Sequence, residues 1–563
     1  MGAFIFVRAD EGAGGKLDLA KALLIEDGWR VRLEADGVMF AVQGPDAPSI
    51  RKSADADSYL IGALFDRRGQ PAFAPSTNGP PLEQAARLCK DYWGRYALLL
   101  FDRSGGVDVL TEPGGSISCV MWRVDGAFVV ASRIPQRLGP LTPQVRPDWL
   151  SVAQRLADSW AADPPPLLTG VTHSRAGSLV SADGTETRVW DPCAFAADAG
   201  RDLQADGQAV REALSMVSGA FARSSARPAV LLSGGLDSSV VAGMAAEHFQ
   251  PQLLHFTSPS KAADELRFAQ AQAQHLQSDL ETLARPAAPF CAPGDDELDT
   301  FEPDQTLFAP QYRDALSVWR QRHGVDEVWT GRGGDMVFLQ SGVSIAQDLI
   351  RRDGPAALFG KDLYAFAMAR RTTLWTQWRA AMSGEGVDNS PPHYDWVASP
   401  RRAQKTSSVF TAAKSVHLRM VATSPRSFDR STARDFVSYR HPLLAQPVLE
   451  ACLSASPVNL CKGGRDRALA RTAFAEQLAP AVRRRRSKAS LSPHQGRRFL
   501  AGLDFIRPFL LDGLLAAKGL IDRPRLEHAL APATLAWRCE QGALIDALAL
   551  EAWARYWSAR VSR

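Results

Sequence analysis

The chain has 563 residues, of which 45% are hydrophobic and 22% are charged, the ordinary balance of a soluble globular protein with at least two domains. Its formal net charge of +4 is too small to indicate nucleic acid as the main partner. No apolar run approaches the ~18 residues that a membrane span needs. Seven cysteines are scattered without CxxC or metal spacing, which favours a reducing cytoplasm.

The first ~190 residues carry short apolar or alternating runs separated by Gly, Pro and Asp, which predict the strands of a mostly antiparallel, β-rich domain. These runs are Val31–Leu33, Tyr59–Phe65, Tyr96–Phe101, Val107–Leu110 and Ala127–Ala131. The segment from Trp190 to Gly207, rich in Asp, Ala and Gly, is predicted to be a linker. The chain should therefore divide near this segment.

Helical patterns alternate with short apolar strands after the linker, which predicts an α/β domain with a parallel sheet. Beyond Gly342 the chain is expected to be mainly helical. Ala470, Phe474 and Leu478 are spaced four apart on one helical face, and Pro480 is expected to end that helix.

The segment Ser233–Ser239, with the sequence SGGLDSS, lies between the apolar run Ala229–Leu232 and the apolar run Val240–Ala245. This order predicts a buried strand, a tight glycine turn and a helix. Converging backbone N–H groups and the positive end of the helix suit a pyrophosphate, and Asp237 could hold Mg²⁺ against it. The alternative is an ordinary strand-to-helix connection.

Two further acidic segments follow candidate strands. Asp264 and Glu265 come after Leu253–Thr257, where they either face a nucleotide or cap a helix. Asp335 ends the segment Val328–Asp335, and it should lie at the end of a strand next to the strand that carries Asp237. Two carboxylates from two strand ends suit Mg²⁺, although a glycine-rich surface turn with a solvated Asp335 is the alternative.

The Ser233–Ser239 loop resembles the SGGxDS loop of ATP pyrophosphatases, and the whole chain resembles the asparagine-synthetase-like superfamily. Three N-terminal segments carry this resemblance: Trp93–Ala97 through Asp102, Glu112–Gly115, and Ala131–Arg133. The resemblance implies an α/β protein with two domains. Residues 1–195 would form a glutaminase-type (Ntn-like), β-rich sandwich, and residues 205–563 would form an ATP-pyrophosphatase (PP-loop) domain with a parallel sheet and many helices.

A working glutaminase of this superfamily uses an N-terminal Cys as its nucleophile. This chain has Gly2 at that position, and its first cysteine is Cys89. Because a hydrogen cannot replace a thiolate, covalent attack on glutamine is not expected. The N-terminal domain is predicted to be structural or a docking surface, and the attacking amine must come from elsewhere.

Three C-terminal segments most resemble lasso peptide cyclases: Tyr439–Leu444 with Gln446-Pro447, Gly463–Arg467 with Arg471, and Arg486–Ala489. Lys488 would stabilise the charge that develops during acyl transfer, as the matching lysine does in β-lactam synthetases. Alternatively, Lys488 ends the basic run Arg483–Arg486, which is expected to be a solvated face or a surface that binds an acidic peptide or phosphate.

The resemblance implies an ATP-dependent macrolactam synthetase of the cytoplasm, with ATP and Mg²⁺ as cofactors and a precursor peptide and a leader peptidase as partners. ATP would contact Leu232, Ser233, Gly234, Gly235, Asp237, Ser238, Thr257, Gly331, Gly333 and Gly334. The metal would be held by Asp237 and Asp335, and the catalytic residue would be Lys488. The substrate or nucleotide region would also include Asp264, Glu265, Arg332 and Arg467.

Arg332 and Met336 stand where many asparagine synthetases have Glu, which argues against asparagine synthesis and leaves no general base assigned. Ala489 replaces the usual Gly of the cyclase signature. A small-molecule cyclase of the β-lactam synthetase type, an asparagine synthetase-like amidotransferase and a non-catalytic peptide- or nucleotide-binding scaffold are the alternative functions.

Overall fold

The computed structural model describes residues 2–35, 37–44, 47–53, 58–73, 79–101, 106–161, 164–197, 201–258, 264–294, 297–383, 394–398, 409–428, 437–487, 489–537 and 540–561. The N-terminal part is rich in β-strands, and the C-terminal part surrounds a parallel sheet with helices, which confirms the predicted fold class. Among these residues, no helix is both long and apolar enough to cross a membrane.

Two large antiparallel sheets and one two-stranded antiparallel sheet make up the described N-terminal part. Their strands are β1 (Ala3–Ala9), β2 (Arg30–Ala35), β3 (Val38–Gln43), β4 (Ile50–Lys52), β5 (Ser58–Asp66), β6 (Pro71–Ala72), β7 (Tyr92–Phe101), β8 (Val107–Thr111), β9 (Cys119–Val124), β10 (Ala127–Ala131), β11 (Arg146–Pro147), β12 (Leu168–Thr169), β13 (Thr172–Ser174), β14 (Ser178–Val180) and β15 (Glu186–Arg188). One large sheet has the order β13-β9-β10-β1-β3-β2, and the other has the order β15-β14-β8-β7-β5-β4 with β6 beside β5. The small sheet pairs β11 with β12. Each of the five predicted runs lies in one of these strands.

Alternation along the strands places one face of each large sheet in a shared core. Phe4, Phe6 and Phe40 of the first sheet pack with Tyr59 and Leu99 of the second. The helices of this part cover the outer faces or the ends of the sheets: α1 (Gly14–Glu26), α2 (Pro81–Asp91) and α3 (Trp149–Ala157). The C-terminal end of helix α3 reaches a cavity of the C-terminal part.

The C-terminal sheet has the order β18-β17-β16-β19-β20, and all its pairs are parallel. Its elements up to β20 are α4 (Leu203–Ser224), β16 (Pro228–Leu231), α5 (Leu236–Ala246), β17 (Gln252–Thr257), α6 (Leu266–His275), β18 (Leu280–Ala284), α7 (Pro310–His323), β19 (Glu327–Thr330), α8 (Gly334–Val337), α9 (Ala346–Asp353), α10 (Lys361–Arg370), α11 (Leu374–Ser383), α12 (Ala412–Ala422) and β20 (Tyr439–Arg440). The strand order reverses between β16 and β19, and ligands of open α/β sheets bind at such a point.

Beyond Gly342 the described chain is mainly helical, as predicted, and includes the short strand β20. A further set of α-helices follows β20. The helices are α13 (Gln446–Ser454), α14 (Pro457–Leu460), α15 (Ala468–Ala473), α16 (Pro480–Arg484), α17 (Ser492–Ala501), α18 (Leu503–Leu511), α19 (Leu514–Ala517), α20 (Arg523–Ala529), α21 (Pro532–Trp537) and α22 (Gln541–Val561).

Two sequence predictions are wrong in detail. Helix α4 begins at Leu203, inside the predicted linker, because the Asp202 carboxylate caps it by accepting a hydrogen bond from the Ala205 N–H. The helix predicted through Leu478 ends at Ala473, and Pro480 begins α16 instead of ending the earlier helix. Proline at a first helical position loses no hydrogen bond, which explains that placement.

The two parts share buried contacts. Trp93 of β7 packs against Phe221 of α4, with ring centroids 5.8 Å apart. The Glu450 carboxylate on α13 pairs with Arg67 at 2.7 Å and accepts a hydrogen bond from the Trp190 indole at 3.1 Å. Arg133 forms a buried ion pair with Asp299, whose pKa is raised to about 6 by burial. These contacts join the β-rich part to helices and a loop of the C-terminal part.

Candidate active site

The Ser233–Ser239 loop follows β16 and begins α5 at the switch point of the sheet. The Ser233 and Ser238 hydroxyls lie 2.9 Å apart, and the Ser233 N–H donates to the Ser238 hydroxyl at 3.1 Å. Gly234 has a φ of 84°, and a Cβ there would lie 2.5 Å from the Glu265 carbonyl oxygen. Both facts require glycine. The turn therefore presents backbone and hydroxyl groups at the positive end of a helix.

A second glycine loop packs directly on the first. Strand β19 runs parallel to β16 with Thr330 opposite Leu231, so the loops after both strands meet at one edge. A Cβ at Gly331 would collide with the backbone of Ser238, and a Cβ at Gly334 would collide with the Asp237 carboxyl group. The glycines thus allow the close approach that brings the two acidic residues together.

Arg467 bridges the two carboxylates that the sequence assigns to a metal. Its Nη1 atom donates to Asp237 Oδ2 at 2.7 Å and to Asp335 Oδ1 at 2.7 Å. The Arg467 side chain is 7% exposed, and its backbone has the left-handed φ of 54° that non-glycine residues rarely adopt. The surrounding structure therefore holds this guanidinium between the two strand ends.

The arrangement of Asp237 and Asp335 fits a divalent cation. Arg467 Nη1 lies 2.7 Å from one oxygen of each carboxylate, so the two carboxylates are close enough for a single cation to contact both. In the described part of the chain, no group of three or more His, Cys, Asp or Glu side chains is arranged so that it could hold a metal ion. Two carboxylates completed by phosphate oxygens and water match the preference of Mg²⁺.

Glu265 contributes to the site, whereas Asp264 has a structural contact. The Asp264 carboxylate accepts the Leu266 N–H at 3.0 Å at the start of α6. Glu265 pairs with Arg485 at 2.5 Å and accepts the Ala489 N–H at 3.3 Å. One expectation for the arginine run was a solvated face. The Arg485 side chain is only 9% exposed, so this expectation is wrong for Arg485.

Arg332 lies in the second glycine loop and contacts the Ser424–Ser427 turn. Its Nη1 donates to the Ser427 carbonyl oxygen at 2.6 Å. His441 lies within 2.8 Å of the Thr330 hydroxyl, and burial, followed by the nearby Arg332, holds the His441 pKa well below its usual range. His441 therefore remains a neutral imidazole beside a permanent cation. The sequence analysis did not assign it a role, because the Tyr439–Leu444 segment was read only as a signature.

These groups line a cavity of about 890 Å³. The predicted residues on its wall are Ser233, Gly235, Asp237, Ser238, Glu265, Gly331, Arg332, Gly333, Gly334, Asp335 and Arg467. Leu232, Gly234, Thr257 and Asp264 do not line the cavity. The Thr257 hydroxyl instead donates to the Leu283 carbonyl oxygen of β18 at 3.3 Å. The structure thus brings most of the predicted set to one place.

Lys488 lies outside the described residues, as does Asp102, so their assignments stay predictions. Ser487 and Ala489, the neighbours of Lys488 in the chain, both line the cavity. The sequence analysis also missed a second group of cavity residues, which includes Arg155 of α3 and Arg426. No motif marked them, because the folds of both parts are needed to bring them together.

The N-terminal part offers no space for a nucleophile at position 2. Gly2 is buried, and a Cβ there would lie 2.5 Å from the Gln43 carbonyl oxygen and 3.1 Å from Ala47 Cα. The N-terminal part reaches the site in two ways. Gly114 packs closely on Leu444, whose side chain abuts Gly333 of the second glycine loop, and Arg155 and Trp160 line the cavity itself. This part therefore acts as a wall of the site.

The family described as asparagine synthase matches residues 209–555, more than half of the chain. The chain belongs to the asparagine synthase family. Members of the family are ATP-dependent enzymes that form amide bonds, and the matched range contains both glycine loops and Arg467. The family assignment places the chain among the ATP-dependent amide ligases.

Other comparisons add little to the family assignment. No curated protein matches the chain. Among solved structures, glutamine phosphoribosylpyrophosphate amidotransferase from B. subtilis, complexed with ADP and GMP, is similar at 11% identity and a TM-score of 0.19, over 59% of this chain and 91% of that chain.

Proposed function

We propose that this amide ligase is a macrolactam synthetase of the lasso peptide cyclase type. The observation that carries the proposal is the combination of a nucleotide-type loop pair with a cavity of about 890 Å³ and a position 2 too crowded for a nucleophile. A substrate that fills such a cavity and carries its own amine needs no ammonia from glutamine. The domain division at 1–195 and 205–563 belongs to this proposal.

In the first step, the two glycine loops and the N-terminus of α5 orient the phosphates of ATP. Asp237 and Asp335 would hold Mg²⁺, which neutralises phosphate charge when bound. An oxygen of a peptide Asp or Glu side chain attacks the α-phosphorus, and the bond to pyrophosphate breaks. The acyl-adenylate that forms has AMP as its leaving group.

In the second step, the N-terminal amine of the same peptide attacks the activated acyl carbon. The bond to AMP breaks, the amine loses its proton, and an isopeptide ring closes. The cavity supplies proximity, which can lower the barrier by ~7–11 kcal/mol. Lys488 is proposed to stabilise the negative charge of the tetrahedral transition state.

The test is mass spectrometry of the precursor peptide encoded beside this protein, incubated with the protein, its leader peptidase, ATP and Mg²⁺. The proposal expects a peptide lighter by one water together with AMP, and neither product with Asp237→Ala. Release of AMP without a dehydrated peptide would favour a small-molecule acceptor, as in a β-lactam synthetase-type enzyme. If no AMP formed with the correct peptide present, a binding scaffold would replace the enzyme proposal.

A further inference from the structure

The cavity has a second end that the nucleotide loops do not use. Its wall combines the end of α3 and the residues just after it, the loop before α7, the 3₁₀ turn Ser424–Ser427 and helix α22. Arg155, Glu302, Arg426 and Asp546 line this end. We name these four residues the distal end. It is joined to the nucleotide end by Arg332, which donates to the Ser427 carbonyl oxygen at 2.6 Å.

Arg426 is the unusual member of the distal end. Its Nη1 and Nη2 atoms are both shielded from solvent, and neither has a hydrogen-bond partner in the described ranges of the chain. A buried guanidinium without partners is costly, because it has lost hydration without compensation. Burial lowers the Arg426 pKa to about 9, so the group still carries its charge at neutral pH.

The acidic groups near Arg426 have contacts of their own. Glu302 lies 3.8 Å from Arg155. Asp546 accepts a hydrogen bond from Gln305, and burial raises its pKa. The Asp158 carboxylate accepts the Trp160 N–H at 3.1 Å. None of these contacts uses the two terminal nitrogens of Arg426, which have no hydrogen-bond partner among the described residues.

We propose that Arg426 forms a carboxylate-binding subsite in which its two terminal nitrogens receive a substrate carboxylate other than the one activated at the nucleotide loops. Paired N–H donors on one guanidinium match the two oxygens of a carboxylate. The inference rests on the proposed function in one respect, that this cavity holds the substrate. It adds a second anchoring group, which fixes the orientation of the substrate between the distal end and the nucleotide loops.

The first test measures binding without any peptide or ATP. Glutarate and its uncharged diamide are titrated into the full chain, with calorimetry and the fluorescence of Trp160, which lines the cavity and is 48% exposed, as readouts. Wild type should bind glutarate saturably in the millimolar range, on the order of −4 kcal/mol, and should not bind the diamide. Arg426→Met should lose this binding, and Arg523→Met, which changes an exposed arginine of α20, should retain it.

The second test separates ligand binding from a structural role. Replacing a buried, unpartnered charge by an apolar side chain removes a desolvation cost, so Arg426→Met should melt at or above the temperature of wild type. Glutarate should raise the melting temperature of wild type and leave that of Arg426→Met unchanged. A clear fall in the melting temperature of Arg426→Met would mean that Arg426 supports the fold, and it would overturn the proposal.

The two proposals fail separately. If wild type and Arg426→Met bind glutarate equally, or if wild type does not bind it, the subsite is wrong even when the peptide is cyclised. If glutarate binds only when Arg426 is present but no peptide yields AMP, the subsite stands and the macrolactam synthetase proposal fails.

Discussion

Arg467→Met tests the central electrostatic feature of the site. Arg467 Nη1 lies 2.7 Å from a carboxylate oxygen of Asp237 and 2.7 Å from one of Asp335. Methionine keeps much of the side-chain volume but cannot donate a hydrogen bond or carry a charge. In this variant the Asp237 and Asp335 carboxylates lose the guanidinium that pairs with both of them.

The structure sets the size of the effect. The Asp237 side chain is 15% exposed, and removing one partner of a buried ion pair costs about 3–5 kcal/mol. The Asp335 side chain is 42% exposed, so water screens its pair and its share is about 0–1 kcal/mol. We therefore expect the first pair to dominate and the free energy of unfolding to fall by about 3 kcal/mol or more.

The assay is urea denaturation in EDTA and in Mg²⁺. Arg507→Met is the matched control, because the Arg507–Glu527 pair of 2.6 Å is exposed at 36% and 56% and should contribute about 0–1 kcal/mol. Arg467→Met should be much less stable than the control in EDTA, and Mg²⁺ should restore part of the loss by binding the uncompensated carboxylates. Equal stability of the two variants in EDTA would refute the reasoning.

Three further predictions concern closely packed positions. Gly331→Ala should weaken ATP binding about tenfold or more, measured by calorimetry, because its Cβ meets the Ser238 backbone; unchanged affinity would contradict the loop packing. Gly2→Cys should show no release of ammonia from glutamine and should lower the melting temperature, whereas measurable glutaminase activity would show that the pocket can open. Burial lowers the His417 pKa from 6.5 to about 3, so the unfolded chain alone binds a proton between these values and stability falls with acidification by about 1.4 kcal/mol per pH unit. His417→Gln, which can still donate to the Val337 carbonyl oxygen, should flatten that dependence of the urea midpoint, and an unchanged slope would show that other groups control it.

Local patterns predicted the elements whose physics is local. The apolar run, the glycine turn and the following helix of Ser233–Ser239 could be read directly, because a strand, a turn and a helix each depend on residues close in sequence. The same holds for the five N-terminal strand runs. The pattern through Leu478 overestimated a helix, since apolar spacing shows which face is buried but not where the backbone stops helical bonding.

The sequence alone determined the family, the order of the two parts and the presence of two acidic residues at strand ends. Only the tertiary structure decided how these groups are paired. Arg467 contacts Asp237, which lies 230 positions away in the chain. Gln43 and Ala47 occupy the space that a side chain at position 2 would need. Burial and pairing of charges depend on which distant segments pack together, and neither composition nor periodicity carries that information. For the same reason, the two buried nitrogens of Arg426 became visible only after α3, the Ser424–Ser427 turn and α22 had been placed around one cavity.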